Sequence, residues 1–211
     1  ITIDEAITNK ALELKAQFHN RPTFIAASTH HKEEQQILEA FALIRQHIPN
    51  ALLIIAPRHN NRFDDVYTLC QKNASHVARR SQQQAITETT DIYLADTMGE
   101  LLIMYGAADI AFVGGSFVPV GGHNLIEPAA MNTPVLSGPH LHNFLEIRDL
   151  LLAQKALIIT ANPEALAKAV TQLLQNTSHY HTMQQGARQV IQYNHGALEK
   201  TLKLIDKYII T

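Results

Sequence analysis

Short apolar runs bounded by Pro, Gly or Asp alternate along this chain with longer stretches in which apolar residues recur at helical spacing. That pattern predicts strands alternating with crossover helices. The strand candidates are TFIAAS (23–28), ALLIIAP (51–57), HVARRS (76–81), DIYLAD (91–96), DIAFVGG (109–115), TPVLSG (133–138) and KALIIT (155–160). Several are near-continuous in Val, Ile, Leu and Ala, as befits strands covered on both faces. Helices are predicted at 31–47, 61–73, 99–107, 124–131, 143–153 and 163–176, with a leading helix at 4–19 and a C-terminal pair at 179–193 and 196–209. The expected fold class is α/β, a Rossmann-like parallel sheet of about six strands with helices on both faces.

In such sheets ligands bind beyond the carboxyl ends of the strands, which directs attention to the strand-to-helix loops. Four of the nine glycines, Gly114, Gly115, Gly121 and Gly122, fall in two of these loops. Gly114 and Gly115 close a buried strand, where bare backbone permits a sharp turn and the close approach of a ligand. Gly121 and Gly122 lead into a predicted helix whose first N–H groups suit a phosphate. The spacing is neither GxGxxG nor a P-loop. Asn124 and Glu127 fit two readings equally well, a capping box at the helix start or a carboxylate on ribose hydroxyls. Thr97 and Glu100 pose the same choice. Arg58 follows Pro57 at a strand end, placed to pair with phosphate or carboxylate. His30, His31, His59, His123, His140 and His142 share this edge, but no HxxxH or HxH pair comes with acidic partners at ligand spacing, so no metal is expected.

Composition narrows the class without naming the chemistry. A chain of 211 residues, 46% hydrophobic, suits one domain spanning 1–211. Seventeen basic against 19 acidic residues give a net charge of -2, with no nucleic-acid footprint. Cys70 is the only cysteine, which excludes an intramolecular disulfide and fits a reducing compartment. No apolar run is long enough for a spanning helix, and an opening Ile1 suggests a piece of a longer protein. The glycosylation-type triplets at Asn73 and Asn176 read as chance matches.

The runs FVGGS..P.GGHN..EP (112–128), APRH (56–59), DTMGEL (96–101), AASTH (26–30) and GPH..NF (138–144) together resemble the C-terminal half of bacterial 3-deoxy-D-manno-octulosonic acid (Kdo) transferases. The resemblance covers nearly the whole chain in order. It implies the donor-binding half of a GT-B glycosyltransferase that moves Kdo from CMP-Kdo to the lipid A precursor, lipid IVA, in lipopolysaccharide synthesis. It implies a full-length protein at the cytoplasmic face of the inner membrane. The acceptor domain, membrane anchor and general base would lie in an N-terminal domain absent here, so this chain alone would bind donor and not turn over. The leading helix (1–20) would lie between the domains, and 179–209 would be C-terminal helices.

Carried over by motif, Pro57, Arg58 and His59 would lie by the donor phosphate, and Met98, Gly99 and Glu100 by the cytosine. Asn124 and Glu127 would engage the sugar nucleotide, Glu127 on the ribose. Ser28, Thr29 and His30 would face the Kdo moiety, while Gly115, Ser116, Gly121, Gly122 and His123 complete the donor site. No catalytic residue, metal or cofactor is expected in this chain. The sequence departs from the family where His31 and Lys32 replace an acidic residue and a glycine, where Leu125-Ile126 replaces Pro-Leu, and at Val120, where a basic residue is common. Two rivals fit the same loops, a GT-B domain using a UDP-sugar and a non-catalytic Rossmann-like partner-binding domain.

Overall fold

The computed structural model describes residues 3–209, with side chains described through Tyr193. Its strands are β1 (Thr23–Thr29), β2 (Leu52–Pro57), β3 (Val77–Arg79), β4 (Ile92–Leu94), β5 (Ile110–Val113), β6 (Val135–Ser137) and β7 (Leu157–Ile159). Every neighbouring pair is parallel, in the order β3-β4-β2-β1-β5-β6-β7. The sheet thus has seven strands where about six were expected, because the three-residue edge strands β3 and β7 both pair. The strand order reverses between β1 and β5, so the loops after these two strands diverge and leave a crevice at the carboxyl edge.

The helices are α1 (Glu5–Ala16), α2 (Glu33–His47), α3 (Phe63–Asn73, preceded by a 3-10 turn at Asn60–Arg62), α4 (Leu101–Ala107), α5 (Ile126–Ala130), α6 (Leu145–Ala153), α7 (Pro163–Gln175) and α8 (Thr177–Ile209). Capping residues set several starts. Asp4 caps α1 by accepting from the Ala6 N–H, and Asn162 caps α7 by accepting from Ala165, with Pro163 in the first turn. The C-terminal pair expected from sequence is one helix, α8: Asn194-His195 contains no proline and does not interrupt it. The helix expected from 124 starts at Ile126 and is only five residues long.

Successive strand residues point to opposite faces, and each face carries its own core. Phe24, Ala26, Leu53, Ile55, Ile110 and Phe112 pack against Ile37, Phe41 and Ile44 of α2 and Val170 and Leu173 of α7. Ile25, Ala27, Leu52, Ile54 and Ala111 pack against Leu14 of α1 and Met104 and Tyr105 of α4. A third cluster joins Val113, Val135 and Leu157 to Leu151 of α6 and to Ala187 and Val190 of α8. Cys70 lies in the first of these cores, where burial pushes its thiol up to about 12 and makes it inert.

Lys32, just before α2, has φ 72° in the left-handed region with no side-chain cap. A glycine would meet that requirement without a Cβ; lysine does not. Lys32→Gly is therefore expected to stabilise the chain by about 0.5–1 kcal/mol, read as a higher urea midpoint at unchanged m-value.

Candidate functional site

The carboxyl edge is organised by a residue that sequence reading passed over. Glu33 opens α2 and is fully buried. Its Oε2 accepts from the backbone N–H of Gly115 (2.7 Å) and His30 (3.1 Å), and its Oε1 from Ser116 (3.0 Å) and Phe117 (2.9 Å). Three successive amides after β5 form an anion-binding nest, and the protein's own carboxylate fills it. Burial pushes the Glu33 carboxyl up, and the four amide donors pull against that rise. Gly114 makes the approach possible: a Cβ there would lie 2.7 Å from Glu33 Oε2 and 2.8 Å from the Ser28 carbonyl. The bare backbone at Gly114 thus serves an internal carboxylate.

The adjacent Glu34 is also buried and holds Arg62 through both oxygens, at 2.6 and 3.1 Å, while accepting from the Thr29 hydroxyl at 3.0 Å. The β1–β2 register shifts between Ala27 and Thr29, and Ser28 takes φ 55° at this bulge. Thr29 is thereby committed to the α2 side, while Ser28 borders an open cleft. The same cleft is lined by Pro57, Arg58, Thr97, Met98, Gly99 and Glu100, with Met104 of α4 among its apolar walls. The structure therefore brings the loops after β1, β2 and β4 to one place. Met98 is 60% exposed, and the Arg58 side chain is exposed and makes no ion pair among the described residues.

The walls of this cleft are braced from behind. Asp96 at the end of β4 accepts from the amide (2.8 Å) and hydroxyl (2.6 Å) of Ser81 and from Arg79 (2.6 Å). Burial raises the Asp96 carboxyl, but Ser81 and Arg79 outweigh it and hold the group below the ordinary range. Glu100 receives Arg80 through both oxygens, at 2.7 and 3.1 Å, and also the Thr97 hydroxyl, so it is held low by Arg80 first. The capping reading of Thr97 and Glu100 does not hold: Glu100 sits at the N-cap of α4 without a capping bond, and its partner is the arginine of a neighbouring loop.

Beside the cleft, at the β1/β5 crevice, three histidines meet. His30 and His123 meet edge to edge, with centroids 5.0 Å apart, planes 9° apart and Nε2 atoms 2.7 Å from each other. His59 packs edge-on against His30 at 5.2 Å. Burial lowers both members of this hydrogen-bonded pair, His123 to about 4, with the neighbouring histidines and Arg58 acting in the same direction. Gly115, at φ 66°, lies beneath them, where a Cβ would stand 3.0 Å from His123. Among the described residues, no group of three or more His, Cys, Asp or Glu side chains is placed to hold a metal ion.

The remaining predicted residues form the loop that carries His123. Ser116 is fully buried; its hydroxyl donates to Val113 and accepts from the Gly138 amide. Gly121 and Gly122, at φ 105° and 80°, lie against the 140–143 loop, where added Cβ atoms would strike Asn143 and Leu141. The Gly122 amide bonds to the Gly115 carbonyl. Asn124 Oδ1 accepts from the Ile126 amide at 3.0 Å, and its Nδ2 donates to Glu127 at 3.2 Å. The Glu127 carboxylate is thus oriented by a side chain and does not close a capping box. Burial raises the Tyr105 phenol of α4, and the Glu127 charge adds to that rise.

Residues 13–190 match the family described as Glycosyl transferases group 1. The chain belongs to this family. It is 41% identical over 191 residues to the 3-deoxy-D-manno-octulosonic acid transferase of Haemophilus influenzae, and 37% identical over 194 residues to that of Bordetella pertussis. Each alignment covers 90% of this chain and 45% of the relative, so this group 1 domain spans about half the length of the curated relatives it matches. The crystal structure of the C-terminal CMP-Kdo binding domain of WaaA from Acinetobacter baumannii aligns with TM-score 0.85 at 37% identity, covering 90% of this chain and 100% of that one. WaaG, a glycosyltransferase involved in lipopolysaccharide biosynthesis, aligns at TM-score 0.56 and 13% identity over 89% of this chain and 47% of its own, a likeness of fold alone.

Two consequences can be measured. Glu33→Gln replaces one acceptor oxygen by a donor, leaving two backbone N–H groups without an acceptor whichever way the amide points, and is expected to destabilise the chain by about 2–4 kcal/mol in denaturant unfolding. The depressed Asp96 carboxyl contributes stability above its unfolded value, and that contribution is lost as pH falls through the lower folded value. The stability gap between the native chain and Asp96→Asn should therefore be constant above about pH 5 and narrow below about pH 4.

Proposed function

We propose that this chain is the donor-binding half of a Kdo transferase and that the cleft bordered by Arg58 and Met98 seats the CMP portion of CMP-Kdo. The observation that carries this reading is the coincidence of two features. The chain aligns along its length with a domain named for CMP-Kdo binding, and the residues its motifs nominate, Ser28, Pro57, Arg58, Met98, Gly99 and Glu100, line one cleft.

In this reading the cytosine lies against Met98 and Gly99, where exposed apolar surface and bare backbone at φ 81° admit a flat ring. Arg58, otherwise unpaired among the described residues, meets the phosphate. Glu127, held by Asn124, accepts from the ribose hydroxyls. Thr29, His30 and His123 lie toward the Kdo. The reaction breaks the bond between the anomeric carbon and phosphate oxygen while a hydroxyl of the lipid A precursor attacks, its proton taken by a base in the N-terminal domain. Negative charge grows on the departing phosphate, and Arg58 stabilises it without a metal ion or other cofactor. The full-length protein works at the cytoplasmic face of the inner membrane. No helix among the described residues of this half is long and apolar enough to cross a membrane. Nucleic acid is no partner.

Calorimetric titration tests the assignment. CMP is expected to bind more tightly than UMP, and Arg58→Ala and Glu127→Ala are each expected to weaken CMP by about tenfold or more, the cost of losing one charged contact, with thermal midpoints within a few degrees of the native chain. Equal affinity for CMP and UMP, or loss of stability without any nucleotide signal, would overturn it.

A further inference from the structure

The paired histidines carry more than the family's motif assigns to them. A contact of 2.7 Å between His30 Nε2 and His123 Nε2 is a hydrogen bond, and it needs one N–H and one lone pair. The space between the two nitrogens therefore holds a single proton. The pair can be neutral, or it can be an imidazolium bonded to an imidazole, but two imidazolium rings cannot keep this contact.

Which state holds depends on the groups around it. From α2 the pair faces Glu34, whose charge is already matched by Arg62, and Glu33, whose carboxylate is taken up by backbone amides. From the loop after β2 come Arg58 and His59, and beneath lies only Gly115. No unmatched acid reaches the rings, and every remaining neighbour that titrates or carries charge favours neutrality. The free pair is accordingly neutral near pH 7. An anionic oxygen group arriving beside Arg58 reverses that balance, because it supplies the missing negative charge beside the rings.

We infer that His30 and His123 act as a proton-linked anion receptor: on binding the donor's anionic portion the pair takes up one proton from solvent and becomes a shared imidazolium–imidazole cation. This deepens the CMP-Kdo reading and rests on it. The shared chemistry is an anionic oxygen group, either the phosphodiester or the sugar carboxylate. The linkage has a definite sign. Binding raises the pair's proton affinity, so ligand affinity is highest at low pH and falls by up to about tenfold per pH unit between the free and bound pKa values. The proton would also leave the pair when the anion departs, coupling product release to pH.

The experiment is calorimetry at about pH 7 in buffers of differing ionisation enthalpy, which counts protons exchanged on binding. The probes are cytidine, cytidine 5′-methyl phosphate, which like the donor does not titrate near neutrality, and CMP-Kdo. Imidazole nitrogen NMR of the native chain, assigned with His30→Gln and His123→Gln, identifies the rings that gain the proton. Uptake on the order of one proton with the methyl phosphate and CMP-Kdo, absent with cytidine and absent in His123→Gln, is the expected result. Uptake with CMP-Kdo alone would place the carboxylate, and not the phosphate, at the pair. Binding without proton uptake, or equal uptake with cytidine, overturns the inference and leaves the CMP-Kdo assignment intact. No binding of any probe overturns both.

Discussion

The Glu33 carboxylate accepts four backbone N–H groups from two loops that are neighbours only because β1 and β5 pair. One loop delivers His30 and the other leads through Gly115 to His123. A buried charge tied to four donors strongly resists rearrangement, because moving any donor leaves the carboxylate short of a partner in a low-dielectric setting. The carboxyl edge is thereby preformed. The nest that a phosphate would occupy in other folds is filled from within.

That division explains the distribution of charge around the cleft. Arg62, Arg79 and Arg80 are each matched to a carboxylate, Glu34, Asp96 and Glu100, and brace the walls. Arg58 alone of the cleft's arginines is exposed and unmatched among the described residues, with three histidines close by. Positive character at the site is therefore held in one permanent cation and a set of rings whose charge depends on occupancy. Such a site attracts an anion while avoiding the mutual repulsion that several fixed cations would impose on the empty protein.

How much of this was legible beforehand depended on the range of the interaction involved. Strand positions followed from continuous apolar runs, and the edge strands β3 and β7 were found at lengths shorter than the runs suggested. That Ser28, Arg58, Met98 and Gly99 share one cleft was legible because a ligand edge can be deduced from a parallel sheet, and motif matches then selected residues on it. Glu33 was missed because two acidic residues in a first helical turn read as ordinary complements to the helix dipole. The lysine and glycine positions tell the same story from the backbone side. Lys32 was noticed only as a departure from a family pattern, and its left-handed φ gives the physical content of that departure.

Sequence by itself determined the class of sheet, the set of loops along its carboxyl edge, and the residue types those loops present, since periodicity and turn chemistry act within a few positions of chain. Tertiary structure decided which of those residues touch. The Asn124–Glu127 pair had two local readings, and the fold set aside the capping box, with one side chain holding the other and the helix beginning two residues later. The glycines at 114 and 115 announced that something must approach the backbone closely, but its identity lay 81 residues upstream of Gly114, on a helix brought there by strand pairing. Contacts between segments far apart in the chain are fixed by the packing of the whole sheet, and no local pattern encodes them.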